Sequence, residues 1–341
     1  MNNISNETIA IIGPKGIPKN FPGTSGIEAY IENQIPQLIQ TGNRVICYTR
    51  RWASVKPITT HLGATIIPVF TINTTVLDTI TYSLFATIHA SCSNTTVVWY
   101  HGIGPAFFSF IPKLFHKKVY TTIHSLDWHR KKWGGIARLF LRLSEKITVF
   151  FSDNIFVVST RLQDYYKTAY HKNAKVIKYA LLPQKSVPPD IIRRKYHLTK
   201  NSYVLYLGRF VPEKRIEWLI GSMQQHPNLT LVLSGGGSHS ESYVRHLTAL
   251  NRNKNIIFTG YVFGKEKAEL FSNCRLFVLP STLEGYPISV AEALAYGKRC
   301  LIGDFLASEY SSANKLIFYF NRDSYENFSK ILTSLLRKIS R

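Results

Sequence analysis

Two glutamates flank the start of a helix that the sequence predicts in the last third of the chain. Residues 275–279 form an apolar run that is typical of a buried parallel strand. After a turn, Pro287 stands where a helix can begin, because the first helical position needs no N–H group. Gly297 is typical of a helix end. Glu284 therefore lies in the loop before the helix, and Glu292 lies about a turn and a half inside it.

This arrangement suits a ligand that carries both phosphate and hydroxyl groups. The start of a helix offers N–H groups and the positive end of a dipole to a phosphate. Carboxylates on either side of that point can accept hydrogen bonds from the hydroxyls of a sugar or a ribose. A helix cap beside a surface glutamate explains the same residues equally well.

A second pattern places two cations beside a strand-to-helix turn. Arg209 and Lys214 follow the apolar run at residues 203–208, and a helix is predicted directly after them. Both side chains can converge on one point, where they would neutralise a diphosphate. Two independent surface cations are the alternative interpretation.

Residues 280–297, with the Glu-x7-Glu spacing of Glu284 and Glu292, resemble the donor-site signature of the retaining glycosyltransferases of family 4. The Gly-Arg-x4-Lys spacing that ends at Lys214 is similar to the diphosphate clamp of the same family. The resemblance implies an α/β protein with the GT-B architecture, in which two Rossmann-like doubly wound domains face a central cleft. It also implies that Glu284 binds the donor sugar, that Glu292 binds the ribose, and that Arg209 and Lys214 neutralise the leaving diphosphate.

Further donor contacts are predicted at strand ends and in glycine-rich loops. Gly235 and Tyr261 each follow an apolar run, and the family pattern places the turn at Tyr261 beside the base. The donor-binding residues that we predict are Gly16, Arg209, Lys214, Gly235, Tyr261, Glu284, Gly285, Tyr286, Pro287, Ile288, Ser289 and Glu292.

The chain opens with a strand, a glycine-rich loop and a helix, which is the beginning of a doubly wound domain. The strand covers residues 8–12, the loop begins at residues 13–16, and the helix is predicted over residues 27–41. The loop lacks the Gly-x-Gly-x-x-Gly spacing of a dinucleotide site. Residues 26–28 resemble the acceptor-side loop of family 4 enzymes, which implies that Glu28 contacts the acceptor. On the residues alone, an ordinary loop is about as consistent.

Residues 124–133 combine histidines, tryptophans, an aspartate and cations directly after an apolar strand. They resemble the His-Gly-Leu-Asp-Trp-x-Arg run of a rhamnosyltransferase-like bacterial branch of the family, with Ser125 in place of the glycine. The resemblance implies that His124 faces the donor sugar. Trp128 and Arg130 are predicted to form an acceptor wall, since aromatic rings stack on sugars and arginine pairs with phosphate. A basic surface loop folded over the core is the alternative.

Strand and helix patterns alternate along the chain, which predicts two doubly wound domains. We predict an N-terminal acceptor-side domain over residues 1–180 and a C-terminal nucleotide-sugar-binding domain over residues 181–322. An amphipathic helix within residues 323–341 is expected to cross back to the first domain, as the resemblance to GT-B enzymes implies. His101, which follows a strand at residues 96–100, is interpreted as an ordinary loop residue.

The composition is that of a globular protein with room for two domains, at 341 residues and 45% hydrophobic content. No apolar run reaches the ~18 residues that a membrane-spanning helix needs. The first residues lack the basic and apolar regions of a signal peptide, which predicts a cytoplasmic protein. The four cysteines are scattered, which favours core residues in a reducing compartment over disulfides or a metal site. They are Cys47, Cys92, Cys274 and Cys300.

The formal net charge of +22 predicts an anionic partner. No helix-turn-helix, zinc-finger or RNA-binding signature accompanies this charge, so we favour a nucleotide ligand and an anionic inner-membrane surface over nucleic acid. Arg138, Arg142 and Lys146 recur at a spacing of four in a helix predicted over residues 136–151, which places them on one face. That face is either a solvated charged surface or the contact of a peripheral protein with the inner face of the membrane.

The motifs and the resemblance together predict a retaining, hexosyltransferase-type glycosyltransferase. It is expected to move a sugar from a donor such as dTDP-rhamnose or a UDP-sugar to a lipid-linked saccharide acceptor in cell-surface polysaccharide synthesis. Retention is implied by the resemblance. The sequence contains no Asp-x-Asp, so we predict that neither a metal nor a cofactor is needed and that the nucleotide-sugar is a substrate. The catalytic residues that we predict are His124, Arg209, Lys214 and Glu284.

Two other functions stay open at this point. A GT-B protein without activity could bind an anionic polymer or a membrane surface, although the intact Glu284, Glu292, Arg209 and Lys214 speak against it. A GT-B phosphorylase or epimerase is the other alternative. The chain length and the segment that begins at His124 favour transfer to an acceptor instead.

Overall fold

The structure, a computed structural model, divides the chain into two compact units, Met1–Tyr179 and Ala180–Arg341. The division falls one residue before the domain boundary that we predicted. The structure describes residues 5–19, 26–53, 58–74, 77–129, 134–177, 179, 181, 183–237, 241–251, 255–310 and 313–338.

The first unit is built on a sheet in the order β3-β4-β2-β1-β5-β6-β7-β8, in which β3 is antiparallel to β4 and the other described pairs are parallel. The strands are β1 (Thr8–Ile12), β2 (Arg44–Arg50), β3 (Thr60–His61), β4 (Ala64–Val69), β5 (Val97–His101), β6 (Lys118–Ile123), β7 (Asn154–Val157) and β8 (Lys175–Val176). The helices are α1 (Gly26–Gln40), α2 (Leu77–Cys92), α3 (Phe110–Leu114), α4 (Gly135–Phe151) and α5 (Thr160–Tyr170).

The second unit has a sheet in the order β11-β10-β9-β12-β13-β14, in which every described pair is parallel. The strands are β9 (Tyr203–Leu207), β10 (Thr230–Ser234), β11 (Ile256–Gly260), β12 (Leu276–Leu279), β13 (Cys300–Gly303) and β14 (Ile317–Phe320). The helices are α6 (Ile191–Tyr196), α7 (Ile216–Met223), α8 (Glu241–Ala249), α9 (Gly264–Asn273), α10 (Ile288–Ala295) and α11 (Tyr325–Lys338). Short 3-10 turns join some of these elements: Arg51–Ala53, Pro105–Phe108, Asp127–His129, Pro212–Lys214 and Asp304–Glu309.

The central strands of both sheets are apolar on both faces, as strands between two helical layers must be. In β1, the four residues from Ile9 to Ile12 are fully buried. The strand order reverses between β1 and β5 in the first unit and between β9 and β12 in the second. In doubly wound sheets, ligands bind at this topological switch point, beside the carboxyl ends of the strands. The loops after β1, β5, β9 and β12 are therefore the places to look for a site.

The last helix, α11, packs on the second unit. Its Phe328 and Leu332 are fully buried in the core of that unit, and the rings of Phe328 and Trp218 lie 6.0 Å apart. We predicted that this helix crosses back to the first domain. The structure instead uses its apolar face to cover α7 and β14, because that face is needed to close the second core.

Candidate active site

An ion pair joins the two loops at the switch point of the second sheet. The ammonium of Lys214, after β9, contacts the carboxylate of Glu284, after β12, and these side chains are only 12% and 11% exposed. The loops are also tied by backbone, since Thr282 donates its N–H to the carbonyl of Glu213 at 2.9 Å. Two motifs that lie far apart in the sequence are thus brought into one place by the strand order.

Arg209 lies in the loop after β9, and its charge acts on two tyrosines of the site. Burial raises the pKa of Tyr206 well above its usual value, and Glu284 raises it further while Arg209 opposes the rise. Burial also raises the pKa of Tyr261, and Arg209 again opposes it. The Tyr206 hydroxyl donates to the Arg209 carbonyl at 2.8 Å, which fixes the backbone of this loop. Arg209, Glu284 and Tyr261 therefore belong to one electrostatic environment.

Glycines let three strand ends approach one another beside these charges. Gly235, with φ +130°, donates its N–H to the carbonyl of Gly260 at 2.8 Å. A Cβ at Gly235 would lie 1.9 Å from the carbonyl oxygen of Gly208, and one at Gly236 would lie 2.7 Å from the Tyr261 ring. Gly235 and Tyr261, both predicted donor contacts, thus form adjacent parts of the same surface.

Glu292, the second glutamate of the motif, pairs with a lysine that the sequence analysis missed. Lys267 on α9 lies 2.6 Å from the Glu292 carboxylate, and both side chains are largely buried. The ammonium also lies 5.8 Å from the centre of the Phe271 ring. The order of the elements was the available signal, because α9 and α10 connect to the same strand, β12, and pack side by side.

The remaining predicted donor residues surround the start of α10. Pro287 is the N-cap residue, so the helix begins at Ile288, one position later than predicted, and Ser289 is the second helical residue. Gly285 and Tyr286 precede this cap, and the Tyr286 ring lies 6.0 Å from the ring of Tyr310. The first N–H groups of a helix have no partner within the helix. They are available to an anion at this end of α10.

A buried hydroxyl lies in the same loop. Ser281 follows β12 by two residues, and its Oγ has no hydrogen-bond partner among the described residues. Buried hydroxyls are nearly always partnered, so an unpartnered one beside Thr282 and Glu284 is a place where a ligand or water would bind.

In the first unit, buried side chains hold the glycine-rich loop after β1. Glu28 is buried and accepts a hydrogen bond from the N–H of Lys15 at 2.8 Å. Arg50 donates to the carbonyl of Pro14 at 3.0 Å. Gly16 is buried in this loop, which belongs to the first unit, whereas the other predicted donor residues belong to the second. The contact of Glu28 with the loop backbone is structural, and its role toward an acceptor stays a prediction.

His101 and His124 form a hydrogen-bonded pair at the first switch point. His101 Nδ1 and His124 Nε2 are 3.1 Å apart, and the edge of the Tyr30 ring packs on His124. Burial lowers the pKa of His101 well below its usual value and lowers that of His124 to about 4, against an opposing effect of Asp127. Both rings are therefore neutral near pH 7. Our interpretation of His101 as an ordinary loop residue was wrong: it ends β5, is fully buried and positions His124.

The structure gives Trp128 partners within the first unit. Its indole N–H donates to the carboxylate of Glu145 at 2.8 Å, and the guanidinium of Arg142 lies 4.8 Å from the ring centre. Ser125 donates to Asp127 at 2.9 Å and so closes the turn that leads to Trp128. Arg130, the other predicted acceptor contact, lies outside the described residues.

The remaining features concern metals, thiols and membranes. In the described part of the chain, no three or more His, Cys, Asp or Glu side chains are grouped so as to hold a metal ion. Cys47, Cys274 and Cys300 are buried and Cys92 is exposed. No helix within the described ranges is both long enough and apolar enough to cross a bilayer.

Each unit matches a family model. Residues 24–178 match the Glycosyltransferase Family 4 model, and residues 189–338 match the model of Glycosyl transferases group 1. The chain belongs to these glycosyltransferase families. The glycosyltransferase fold accounts for both switch points, and the charged loops described above fall within the group 1 region.

Individual proteins agree with this assignment. The chain is 29% identical over 183 residues to the uncharacterized glycosyltransferase YqgM of Bacillus subtilis, and this match covers 52% of the chain and 49% of the relative. The chain thus spans about half the length of that curated relative. A sucrose-phosphate synthase from Thermosynechococcus elongatus matches with a TM-score of 0.80 at 18% identity, covering 98% of this chain and 90% of that one. Anabaena HepE in complex with UDP and glucose matches with a TM-score of 0.78 at 16% identity, covering 98% and 91%. The predicted GT-B fold class is confirmed.

Proposed function

We propose that the protein transfers a sugar from a nucleoside-diphosphate donor to a hydroxyl group of a saccharide acceptor. The observation that carries this proposal is the ion pair of Lys214 and Glu284 at the switch point of the second sheet. It joins a cation suited to a diphosphate and a carboxylate suited to sugar hydroxyls at the place where such sheets bind ligands. The UDP complex of HepE and the names of the family models support a nucleotide-sugar donor.

The second unit supplies the charge for the leaving group. As the bond between the anomeric carbon and the diphosphate breaks, a bond forms from that carbon to the acceptor oxygen. The acceptor proton ends on the released nucleoside diphosphate. Arg209, Lys214 and the first N–H groups of α10 stabilise the negative charge that develops on the diphosphate. This stabilisation by fixed groups is the reason that we propose transfer without a metal ion.

The carboxylates and the histidine pair position the sugars. Glu284 accepts hydrogen bonds from donor-sugar hydroxyls, and Glu292 accepts them from the ribose, with Lys267 fixing its orientation. His124 is neutral near pH 7, and because its Nε2 pairs with His101, its Nδ1 is the ring nitrogen that would form a hydrogen bond with a sugar hydroxyl. Retention of the anomeric configuration and the place of the chain in a rhamnosyltransferase-like branch follow from the motif resemblance alone.

For the finer assignment, we propose a dTDP-rhamnose or UDP-sugar donor and a lipid-linked saccharide acceptor in cell-surface polysaccharide synthesis. The protein would then work as a peripheral protein on the cytoplasmic face of the inner membrane. The net charge of +22 supports this location, because the lipids of that face are anionic.

Calorimetric binding of UDP, dTDP, GDP and ADP in the presence of EDTA tests the proposal. We expect one nucleotide to bind the wild-type chain and to lose at least about tenfold in affinity in Lys214→Ala, since a charge-assisted contact to a phosphate is removed. Lys330→Ala, which removes an exposed lysine of α11, is the matched control and should bind as the wild type does. If none of the four nucleotides binds, the transferase proposal is wrong.

Transfer itself is measured with the sugar donor of whichever nucleotide binds. A saccharide linked to undecaprenyl diphosphate and the same saccharide without lipid serve as acceptors. We expect turnover in EDTA and a preference for the lipid-linked form. Nucleotide binding without turnover on either acceptor would favour a binding module over an enzyme.

A further inference from the structure

The outward face of α4 in the first unit carries a row of large apolar side chains. Ile136, Leu139, Leu143 and Phe150 are 89%, 69%, 50% and 77% exposed. Their positions follow the i, i+3, i+7 and i+14 spacing of one stripe along a helix. A continuous row of large apolar side chains is therefore presented to the surroundings.

The buried face of the same helix is partly polar: it contains Leu141 and Val149 together with Ser144, Glu145 and Thr148. Ser144, Glu145 and Thr148 are almost fully buried, and the hydroxyls of Ser144 and Thr148 donate to carbonyls of their own helix at 2.8 and 2.7 Å. Glu145 accepts the indole hydrogen bond of Trp128. A surface helix of a water-soluble protein normally turns its large apolar side chains toward the core, whereas four of those on α4 are exposed. The apolar row of α4 is thus available to a partner outside this unit.

Cations lie directly beside the apolar row. Arg138, Arg142 and Lys146 are exposed and spaced by four, which places them in a second row along the helix. Lys146 is separated by three residues from Leu143 and by four from Phe150, so the two rows are adjacent on the helix surface. The outward part of α4 therefore combines apolar and positively charged side chains.

The neighbouring helix α3 extends this surface. The rings of Phe110 on α3 and Phe151 on α4 lie 6.1 Å apart, which shows that the two helices pack together. At the end of α3, Leu114 is 75% exposed and Phe115 is 46% exposed. We use the name α4 surface for the exposed apolar and basic side chains of α4 together with Leu114 and Phe115.

We propose that the α4 surface docks on an anionic lipid bilayer. Its apolar side chains enter the boundary between headgroups and acyl chains, and its cations pair with lipid phosphates. An apolar row beside a purely cationic row, on a chain of net charge +22, matches a surface that is apolar inside and anionic outside. The inference rests on the proposed function for its purpose, which is to bring the enzyme to a lipid-linked acceptor.

Flotation with lipid vesicles tests the proposal on the full chain. Vesicles of phosphatidylglycerol and phosphatidylcholine are compared with vesicles of phosphatidylcholine alone. We expect the wild-type chain to bind the anionic vesicles at least tenfold better, since each cation near an anionic surface adds to binding. Leu139→Ser/Leu143→Ser and Arg138→Glu/Lys146→Glu should each lose at least about tenfold in affinity for the anionic vesicles. Arg142 is left unchanged because it contacts Trp128.

Matched control variants distinguish a specific role of the α4 surface from the general effect of losing apolar side chains or positive charge elsewhere. Phe70→Ser/Ile72→Ser removes two exposed apolar side chains from the loop after β4, and Arg193→Glu/Arg194→Glu makes the same change of charge on α6 of the second unit. Both controls should bind vesicles as the wild type does. Nucleotide binding without vesicles should be unchanged in all four variants. Because the nucleotide residues lie mainly in the second unit, the folding of the first unit is checked separately by the urea unfolding midpoint from tryptophan fluorescence.

Three results would overturn the proposal. The first is a wild-type chain that does not bind anionic vesicles, and the second is a pair of α4 variants that bind as well as their controls. The third is a wild-type dimer in sedimentation that the Leu139→Ser/Leu143→Ser variant dissociates, which would assign the surface to contacts between copies. None of these readouts uses sugar transfer, so a failed transferase assay would leave the vesicle result intact.

Discussion

Lys214 and Glu284 form an ion pair although they lie on loops that follow different strands, 70 residues apart in the chain. Because each is nearly buried, neither charge is well solvated without the other. A diphosphate that takes Lys214 as a partner must therefore compete with Glu284 or share the lysine with it. The pair couples the binding of the diphosphate to the position of the carboxylate that we assign to the donor sugar.

Glu284→Gln tests this coupling. The amide keeps the shape of the side chain and removes the charge that competes for Lys214. We expect the free nucleoside diphosphate to bind about 3- to 10-fold more tightly, which corresponds to roughly 1 kcal/mol, while sugar transfer falls sharply because a donor contact is lost. Calorimetry and a transfer assay measure the two effects. Glu213→Gln makes the same charge change in the neighbouring loop and should alter neither quantity by more than about twofold. Weaker binding of the nucleotide to Glu284→Gln would show that the carboxylate does not compete for the lysine.

Lys267→Met tests the second ion pair of the site. The variant keeps an unbranched side chain that is one atom shorter than that of lysine, but it leaves Glu292 without its cation. We expect the affinity for the nucleotide to fall about 3- to 10-fold, since the carboxylate loses its fixed orientation toward the ribose. The preference for the nucleoside diphosphate over its 2′,3′-dideoxy form, measured as the ratio of the two affinities, should fall as well.

The control for this second pair lies on the same helix. Lys265→Met removes an exposed lysine that pairs with Asp190 at 3.2 Å and with the buried Glu269 at 3.8 Å, away from Glu292, and it should leave both quantities unchanged. A Lys267→Met variant that still discriminates the dideoxy form as the wild type does would disprove the ribose assignment of Glu292.

The sequence predicted the loops that carry the charges better than the partners of those charges. Arg209, Lys214 and Glu284 follow apolar strands, and parallel strands bring their carboxyl ends to one edge, so their grouping could be foreseen. The partners of Glu292 and His124 were missed, although Lys267 lies on the helix before β12 and His101 ends the strand that pairs with β6. The order of the elements places these residues near one another, but which side chains pair depends on packing that a single sequence does not specify.

The buried face of helix α4 and the existence of strand β14 are features of the fold that the sequence did not predict. The apolar residues of α4 are too frequent for one stripe, so their spacing does not indicate which of them are buried, whereas the spacing of Arg138, Arg142 and Lys146 predicts the exposed charged side. Strand β14, residues Ile317–Phe320, was not predicted, although its short aromatic run lies between turn-forming asparagines, Asn314 and Asn321. A strand of four residues at a sheet edge has too little periodicity to be recognised alone.

Gly235→Ala tests the close approach of β10 to the loop after β9. The new Cβ would lie 1.9 Å from the carbonyl oxygen of Gly208, at a φ of +130°, so the backbone must move. We expect a loss of roughly 3 kcal/mol or more in the free energy of unfolding. This loss of stability is measured as faster hydrogen exchange in peptides of the second unit, and it should be accompanied by a loss of nucleotide binding. Gly297→Ala also has a positive φ but meets no atom within 4 Å, so it should cost only about 1 kcal/mol. An equal loss in the free energy of unfolding for the two variants would show that the close approach to Gly208 does not cause the larger loss that we expect for Gly235→Ala.

The pair of His101 and His124 makes the stability of the first unit depend on pH. The pKa of His101 lies well below its usual value in the folded protein and that of His124 is about 4, whereas an unfolded histidine titrates near 6.5. Between these values the unfolded chain binds more protons than the folded one. The contribution to stability is therefore complete above about pH 6.5 and is lost as the pH falls toward 4. Each histidine can contribute up to about 1.4 kcal/mol per pH unit in this range.

Urea unfolding at pH 7.5, 6.0 and 5.0, followed by tryptophan fluorescence, measures this loss, and most of the tryptophans lie in the first unit. His101→Gln keeps an amide that can hydrogen-bond to His124 but removes one titrating group. We expect its unfolding midpoint to fall less between pH 7.5 and 5.0 than that of the wild type. His171→Asn replaces an exposed histidine at a positive φ that asparagine tolerates, and it should retain the wild-type slope. If the unfolding midpoint of His101→Gln falls with pH as steeply as that of the wild type, the histidine pair does not cause the pH dependence.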